Sequence, residues 1–160
     1  MTLLSRKADY ALLILSFLHE KAGSGNAREI AESFALSRPF VANILKELCQ
    51  KGFVASHRGV KGGYALARPA SEISLAEVLE AIEDGFRLTL CNPDDHDSPG
   101  DCSLAPSCTL RHAMVEVHRR LIDVLRNVRL DQLFGNTLTG SPLLLSLSTS
   151  CCAPAEVAVN

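Results

Sequence analysis

The chain has 160 residues, 47% of them apolar and 21% charged, the balance of an ordinary globular protein with room for one domain and an extension. Tryptophan is absent and aromatics are few, so the core has to be built from Leu, Ile, Val and Ala. No apolar run has the roughly 18–20 residues of a membrane helix. The net charge of −2 hides an asymmetry: residues 1–70 carry ten Lys/Arg against five Asp/Glu, and residues 71–133 carry six against twelve. A basic half joined to an acidic half suits a DNA-binding head with a separate sensing or dimerising part.

The first helix is expected from about Ser5, its N-cap, to Lys21, with Tyr10, Leu13, Ile14, Phe17 and Leu18 forming a buried stripe. The same stretch imitates a signal peptide, because Arg6 and Lys7 precede an apolar run at residues 11–18. Asp9 in the basic region and the charged residues from His19 onwards argue against export, and a cytoplasmic, reducing compartment is expected. Residues 22–26 read as a loop, and a short helix at 27–34 turns Ile30, Ala31 and Phe34 inward. Ala35 and Leu36 make a tight turn. Ser37 then caps a helix that tolerates Pro39 in its first turn and ends at Lys51-Gly52.

Two short strands follow at residues 53–57 and 63–67, with Arg58, Gly59, Val60, Lys61 and Gly62 between them. Ser74 and Glu77 have the spacing of a capping box for an amphipathic helix running to about Asp84, with Leu75, Val78, Leu79 and Ile82 inward. Residues 87–107 read as loop. A long helix at 109–128 carries Leu110, Met114, Val117, Leu121, Val124 and Val128 at alternating spacings of four and three, a heptad seam that Ile122 and Leu125 widen. Residues 135–160 shift to Ser, Thr, Ala, Gly and Leu and are expected to be mostly disordered.

The predicted fold is mainly α with a small β-wing: a winged helix-turn-helix plus a long C-terminal dimerisation helix. The predicted divisions are a DNA-binding head at 1–70, a linking helix with a cysteine-bearing loop at 71–108, the dimerisation helix at 109–133 and a tail at 134–160. In the head, the third helix is the one a major groove accepts. Its apolar face is Val41, Ile44, Leu45 and Leu48, and its other face carries Ser37, Arg38, Pro39, Ala42, Asn43 and Lys46. Arg38 sits where base edges are usually met, Asn43 has the amide that pairs bidentately with adenine, and Lys46 suits phosphate. Arg58 and Lys61 at the wing tip suit phosphate or a minor groove.

The cysteines are Cys49, Cys91, Cys102, Cys108, Cys151 and Cys152. Cys49 on the third helix reads as a small apolar residue, and the tail pair as incidental. Cys91, Cys102 and Cys108 gather on the loop before the long helix and offer three soft ligands, the type that iron–sulfur clusters take. Structural zinc prefers cysteines paired two to four residues apart, which is absent, so zinc and a metal-free thiol switch stand as rivals. Nucleotide loops, nucleophile elbows and zinc-hydrolase histidine motifs are absent too, and no enzyme is indicated.

The string from Ser5 to Leu12, the wing string from Arg58 to Tyr64, the three downstream cysteines and the long helix together resemble the IscR/NsrR superfamily of iron–sulfur transcription regulators. The resemblance spans about residues 1–133. It implies a homodimer on a double-stranded DNA operator, with a 4Fe–4S or 2Fe–2S cluster near the interface whose state sets DNA affinity. It also implies a role in sensing iron–sulfur status, nitric oxide or redox stress. Cys102 and Cys108 have the family's separation of five intervening residues. Cys91 and Cys102 have ten, because residues 93–100 look like an insertion. IscR-like members place a fourth ligand, His, where this chain has Arg111, with His112 one residue on. NsrR-like members use an Asp of the first helix that reaches across from the partner, and Asp9 matches it. The resemblance therefore favours Asp9, with His112 second. A cofactor-free winged-helix adaptor is the competing class of function.

Overall fold

A computed structural model describes residues 4–21, 25–59, 62–83 and 107–135. Its helices are α1 (Arg6–Glu20), α2 (Ala27–Ser33), α3 (Arg38–Gln50), α4 (Leu75–Ile82), α5 (Arg111–Asn127) and α6 (Leu130–Phe134), and its strands are β1 (Val54–His57) and β2 (Gly63–Leu66). A single 3₁₀ turn, Ala70–Glu72, leads into α4. The architecture is the expected one, mostly helical with a two-stranded antiparallel wing.

The starts of α1, α2 and α4 each have a side-chain cap. The Ser5 hydroxyl accepts the Ala8 amide at 3.2 Å, so α1 is capped as expected. Asn26, read from sequence as loop, forms a full capping box with Glu29 for α2, and Ser74 forms one with Glu77 for α4. Ser37 occupies the N-cap of α3, but its side chain makes no capping bond, which corrects the expected role. Pro39 near the helix start removes one of the amides that such a bond would serve.

Two helices end by the same device. After α3, the Phe53 amide bonds the Leu48 carbonyl at 2.9 Å around Gly52, whose φ is +79°. After α2, the Leu36 amide bonds the Ala31 carbonyl at 2.9 Å around Ala35, whose φ is +53°. Both are Schellman endings with a left-handed residue just past the helix.

The core joins α1, α2, α3, the base of the wing, α4 and one face of α5. The inner face of α3 is Val41, Ile44, Leu45 and Leu48, as expected. On α1 the buried set is Ala8, Ala11, Ile14, Leu15, Phe17 and Leu18, while Leu13 is 42% exposed. The stripe is thus rotated from the expected one, with Ala8 and Ala11 fully buried in the core. The apolar run that resembled a signal peptide is this stripe. Tyr10 is half-buried and meets Phe40 of α3 edge-to-face, ring centroids 5.3 Å apart.

Gly25 bridges to the outer side of the wing, exchanging backbone hydrogen bonds of 3.1 and 2.8 Å with Tyr64. A Cβ at Gly25 would stand 2.9 Å from the Phe17 ring, so the close approach of this loop to α1 favours glycine. At the other end of the core, residues 73–75 pair with 128–130 through Leu75 N–H to Val128 O and Leu130 N–H to Ile73 O. This bridge ends α5 and starts α6, an element that sequence reading did not find. Among the described residues no helix is long and apolar enough to cross a membrane.

Candidate nucleic-acid interface and cysteine-bearing region

The α2–turn–α3 unit presents one side of α3 outward. Ser37, Arg38, Pro39, Ala42, Asn43 and Lys46 are all exposed, while the opposite side of the helix is core. Among the described residues neither Asn43 nor Lys46 makes a side-chain hydrogen bond or ion pair. Arg38 lies 3.6 Å from Glu32 of α2. Lys7 of α1 reaches Glu47 of α3 at 2.8 Å, which pins α3 on its flank.

Cys49 is half-buried on α3, and burial pushes its thiol up, as suits a small packing residue rather than a reactive nucleophile. The wing pairs Val54 with Leu66, Ala55 with Ala65, Ser56 with Tyr64 and His57 with Gly63. Arg58 follows β1 directly and is exposed, and the Gly62 amide closes the turn onto the Gly59 carbonyl at 2.8 Å. Lys61 lies outside the described residues.

Of the three loop cysteines, Cys91 and Cys102 lie outside the described residues. Cys108 is half-buried three residues ahead of α5, and its carbonyl accepts the Arg111 amide at 3.3 Å. His112 is exposed in the first turn of α5, and Asp9 is exposed in the first turn of α1. Asp9 borders a groove of about 470 Å³ with Leu12, Leu13, Ser16, Leu133 and Phe134. Among the described residues no three His, Cys, Asp or Glu side chains converge, so Asp9, Cys108 and His112 form no such group within one chain.

The preceding segment of the loop is tied to the head. Glu83, which caps the end of α4, accepts the Ser5 amide at 2.9 Å across 78 residues of sequence. In a capping box the acid that accepts the N-cap amide comes from three residues inside the helix, where α1 has Ala8. Glu83 supplies it instead and joins the end of α4 to the start of α1.

The seam expected for dimerisation is open at three of its six positions and half-buried at Met114, Leu121 and Val128. Leu110 is 64% exposed, Val117 49% and Val124 42%, while Ile122 on the other side of α5 is buried against the core. Ile122 therefore does not widen the seam but anchors the helix to the core, against which Leu121 and Leu125 also pack.

These features define a winged helix-turn-helix DNA-binding transcription regulator. The chain belongs to the Rrf2 family, described as iron-dependent transcriptional regulators, which matches residues 4–136. It is 32% identical to the HTH-type transcriptional regulator NsrR of Oceanobacillus iheyensis over 135 residues, 83% of this chain and 90% of that protein. With the HTH-type transcriptional regulator IscR of Pectobacterium carotovorum it shares 29% identity over 83% of this chain and 79% of the relative. Its fold is similar to that of CymR, the global cysteine regulator of B. subtilis, with a TM-score of 0.66 at 23% identity over 85% of this chain and 98% of that one. These relatives are named as regulators, not enzymes.

Proposed function

We propose that the chain acts as a homodimer on a double-stranded DNA operator and that an iron–sulfur cluster modulates this binding. Cys91, Cys102 and Cys108 are the proposed thiolate ligands, with Asp9 as the fourth and His112 as the alternative. The observation that carries this reading is the position of Cys108: it stands just ahead of a helix that leaves Leu110, Val117 and Val124 of its apolar seam exposed. With the seams of two copies paired, Cys108 would stand near the junction of the subunits. The donor set fits by its chemistry, since three thiolates without close pairing suit iron and sulfide better than structural zinc. Asp9 is exposed at the start of α1, where it is free to face a partner subunit.

In this reading residues 1–70 form the head, 71–108 the link and cysteine loop, and 109–133 the dimerising part. Arg38 and Asn43 read base edges, and Ser37, Pro39 and Lys46 line the approach to the backbone. Arg58 and Lys61 hold phosphate or a minor groove beside the recognition helix. Bound between the cysteine loop and α1, the cluster would supply a cross-link that oxidation, nitric oxide or iron shortage removes. The chain's own link is the Glu83–Ser5 hydrogen bond, which joins the end of α4 to the start of α1.

Protein purified without oxygen should absorb visible light and carry iron and sulfide, and Cys102→Ala and Asp9→Ala should lose iron. Arg58→Ala should keep the iron, bind DNA more weakly and show a salt slope shallower by ~0.9. Wild-type protein that stays colourless and iron-free after reconstitution would overturn the cluster and leave a zinc, thiol-switch or cofactor-free regulator.

A further inference from the structure

Glu32 is an acid in an awkward place. It lies in the last turn of α2, is well exposed, and stands beside two arginines on the side of the helix-turn-helix from which α3 begins. Its Oε1 accepts a hydrogen bond from Arg28 Nε at 2.8 Å and lies 3.6 Å from Arg38 Nη2. The hydrogen bond from Arg28 holds the Glu32 carboxyl below the usual carboxylate range, and the charges of Arg28 and Arg38 act in the same direction. The left-handed turn at Ala35 produces the arrangement, because it folds the first residue of α3 back beside the last turn of α2.

Exposed ion pairs of this kind add little to folding stability. Near a polyanion a carboxylate also costs affinity, since it repels phosphate and occupies cations that would otherwise neutralise it. Its benefit must lie elsewhere. Arginine loses much side-chain freedom when it is ordered on DNA, and one already held by a carboxylate loses less. The contact engages one terminal nitrogen of Arg38, and the remaining donors of the guanidinium stay available to the O6 and N7 acceptors of a guanine.

We propose that Glu32 is a specificity-determining residue of the DNA interface: it aims the Arg38 guanidinium at one base and restrains Arg28 and Arg38 from indiscriminate phosphate binding. This rests on the reading that the outer face of α3 meets DNA. Nothing in it depends on the cluster.

The test is selection of bound duplexes from a randomised pool by wild type, Arg38→Ala, Glu32→Gln, Glu32→Asp and the Glu32→Gln/Arg38→Ala double variant. Arg38→Ala should lose preference at one base pair, where a bidentate contact discriminates by about 5- to 100-fold. Glu32→Gln should cut the preference at that same base pair by about three- to tenfold, and the double variant should lose no more than Arg38→Ala alone. On duplexes of unrelated sequence Glu32→Gln should bind several-fold tighter, with a salt slope steeper by ~0.9 for one more phosphate contact. Glu32→Asp keeps the charge on a shorter arm, so it should lose base preference while binding unrelated DNA as wild type does. Wild-type preference and wild-type non-specific affinity in Glu32→Gln would overturn the proposal. An unchanged selected site in Arg38→Ala would instead overturn the DNA reading beneath it.

Discussion

Ala35 and Gly52 hold the same position in two helix endings, and only one of them is the residue that position favours. A left-handed backbone costs an L-residue with a Cβ roughly 1–2 kcal/mol, partly offset by the entropy that glycine loses on folding. Ala35→Gly should therefore stabilise the protein by up to ~1 kcal/mol, read as a midpoint a few degrees higher in thermal unfolding. A lower midpoint would show that the turn is less strained than its φ of +53° implies. At this scale the sequence was partly readable. The turn after α2 and its two residues were expected, but not the left-handed angle, because alanine carries no sign of it. Ser37 shows the opposite case: its residue type announced a cap, and the hydroxyl went unused.

At the scale of elements, α4 depends on its first turn. The Ser74 hydroxyl accepts the Glu77 amide at 3.2 Å, and the Glu77 carboxylate accepts the Ser74 amide at 2.8 Å. Ser74→Ala should cost about 1 kcal/mol in urea unfolding. Burial works against the charge of Glu77, but hydrogen bonds from Ser74 and Arg68 and the charge of Arg68 outweigh it and hold the carboxyl below its ordinary range. A carboxylate depressed in the folded state lends stability above its unfolded pKa and loses it as pH falls through the folded value. Wild type should thus lose more stability than Glu77→Gln between pH 7 and the range below about 4.5, where Gln keeps the capping geometry without titrating. Equal losses would remove Glu77 from the acid limb. The cap was legible because both partners lie within one turn. The reciprocal arrangement at α1 was not, since Glu83 is 78 residues from Ser5.

For the whole molecule, the open question of packing is what covers α5. Its seam of Leu110, Val117 and Val124 faces outward in the single chain, and the proposed dimer would bury it against the same residues of a second copy. Val117→Glu should convert a dimer to a monomer by light scattering, weaken operator binding and leave the unfolding of the head intact. A variant that stays dimeric would place the subunit contact elsewhere. Asp9 lies exposed beside the α1–α6 groove, so the same contact matters for the proposed cluster if the partner's thiolates meet it there.

Periodicity, capping residues and the glycine-flanked turn were enough to derive the head: the inner quartet of α3, its outward polar face and the wing all follow from local spacing. Cys91, Cys102 and Cys108 could be proposed as soft ligands from residue type alone, and of these the structure describes only Cys108. Local spacing shows that a helix has an apolar face but not what will cover it. Only the assembled fold separated Ile122, spent on the core, from Val117 and Val124, left bare, and chose Ala8 and Ala11 over Leu13 for the inside of α1. It also created the Lys7–Glu47, Arg38–Glu32 and Ser5–Glu83 contacts, and five-residue α6 beside its backbone bridge. Each of these depends on groups far apart in the chain, on the angle of the turn at Ala35, or on a segment too short to show a period, so their proximity is settled only when the elements pack.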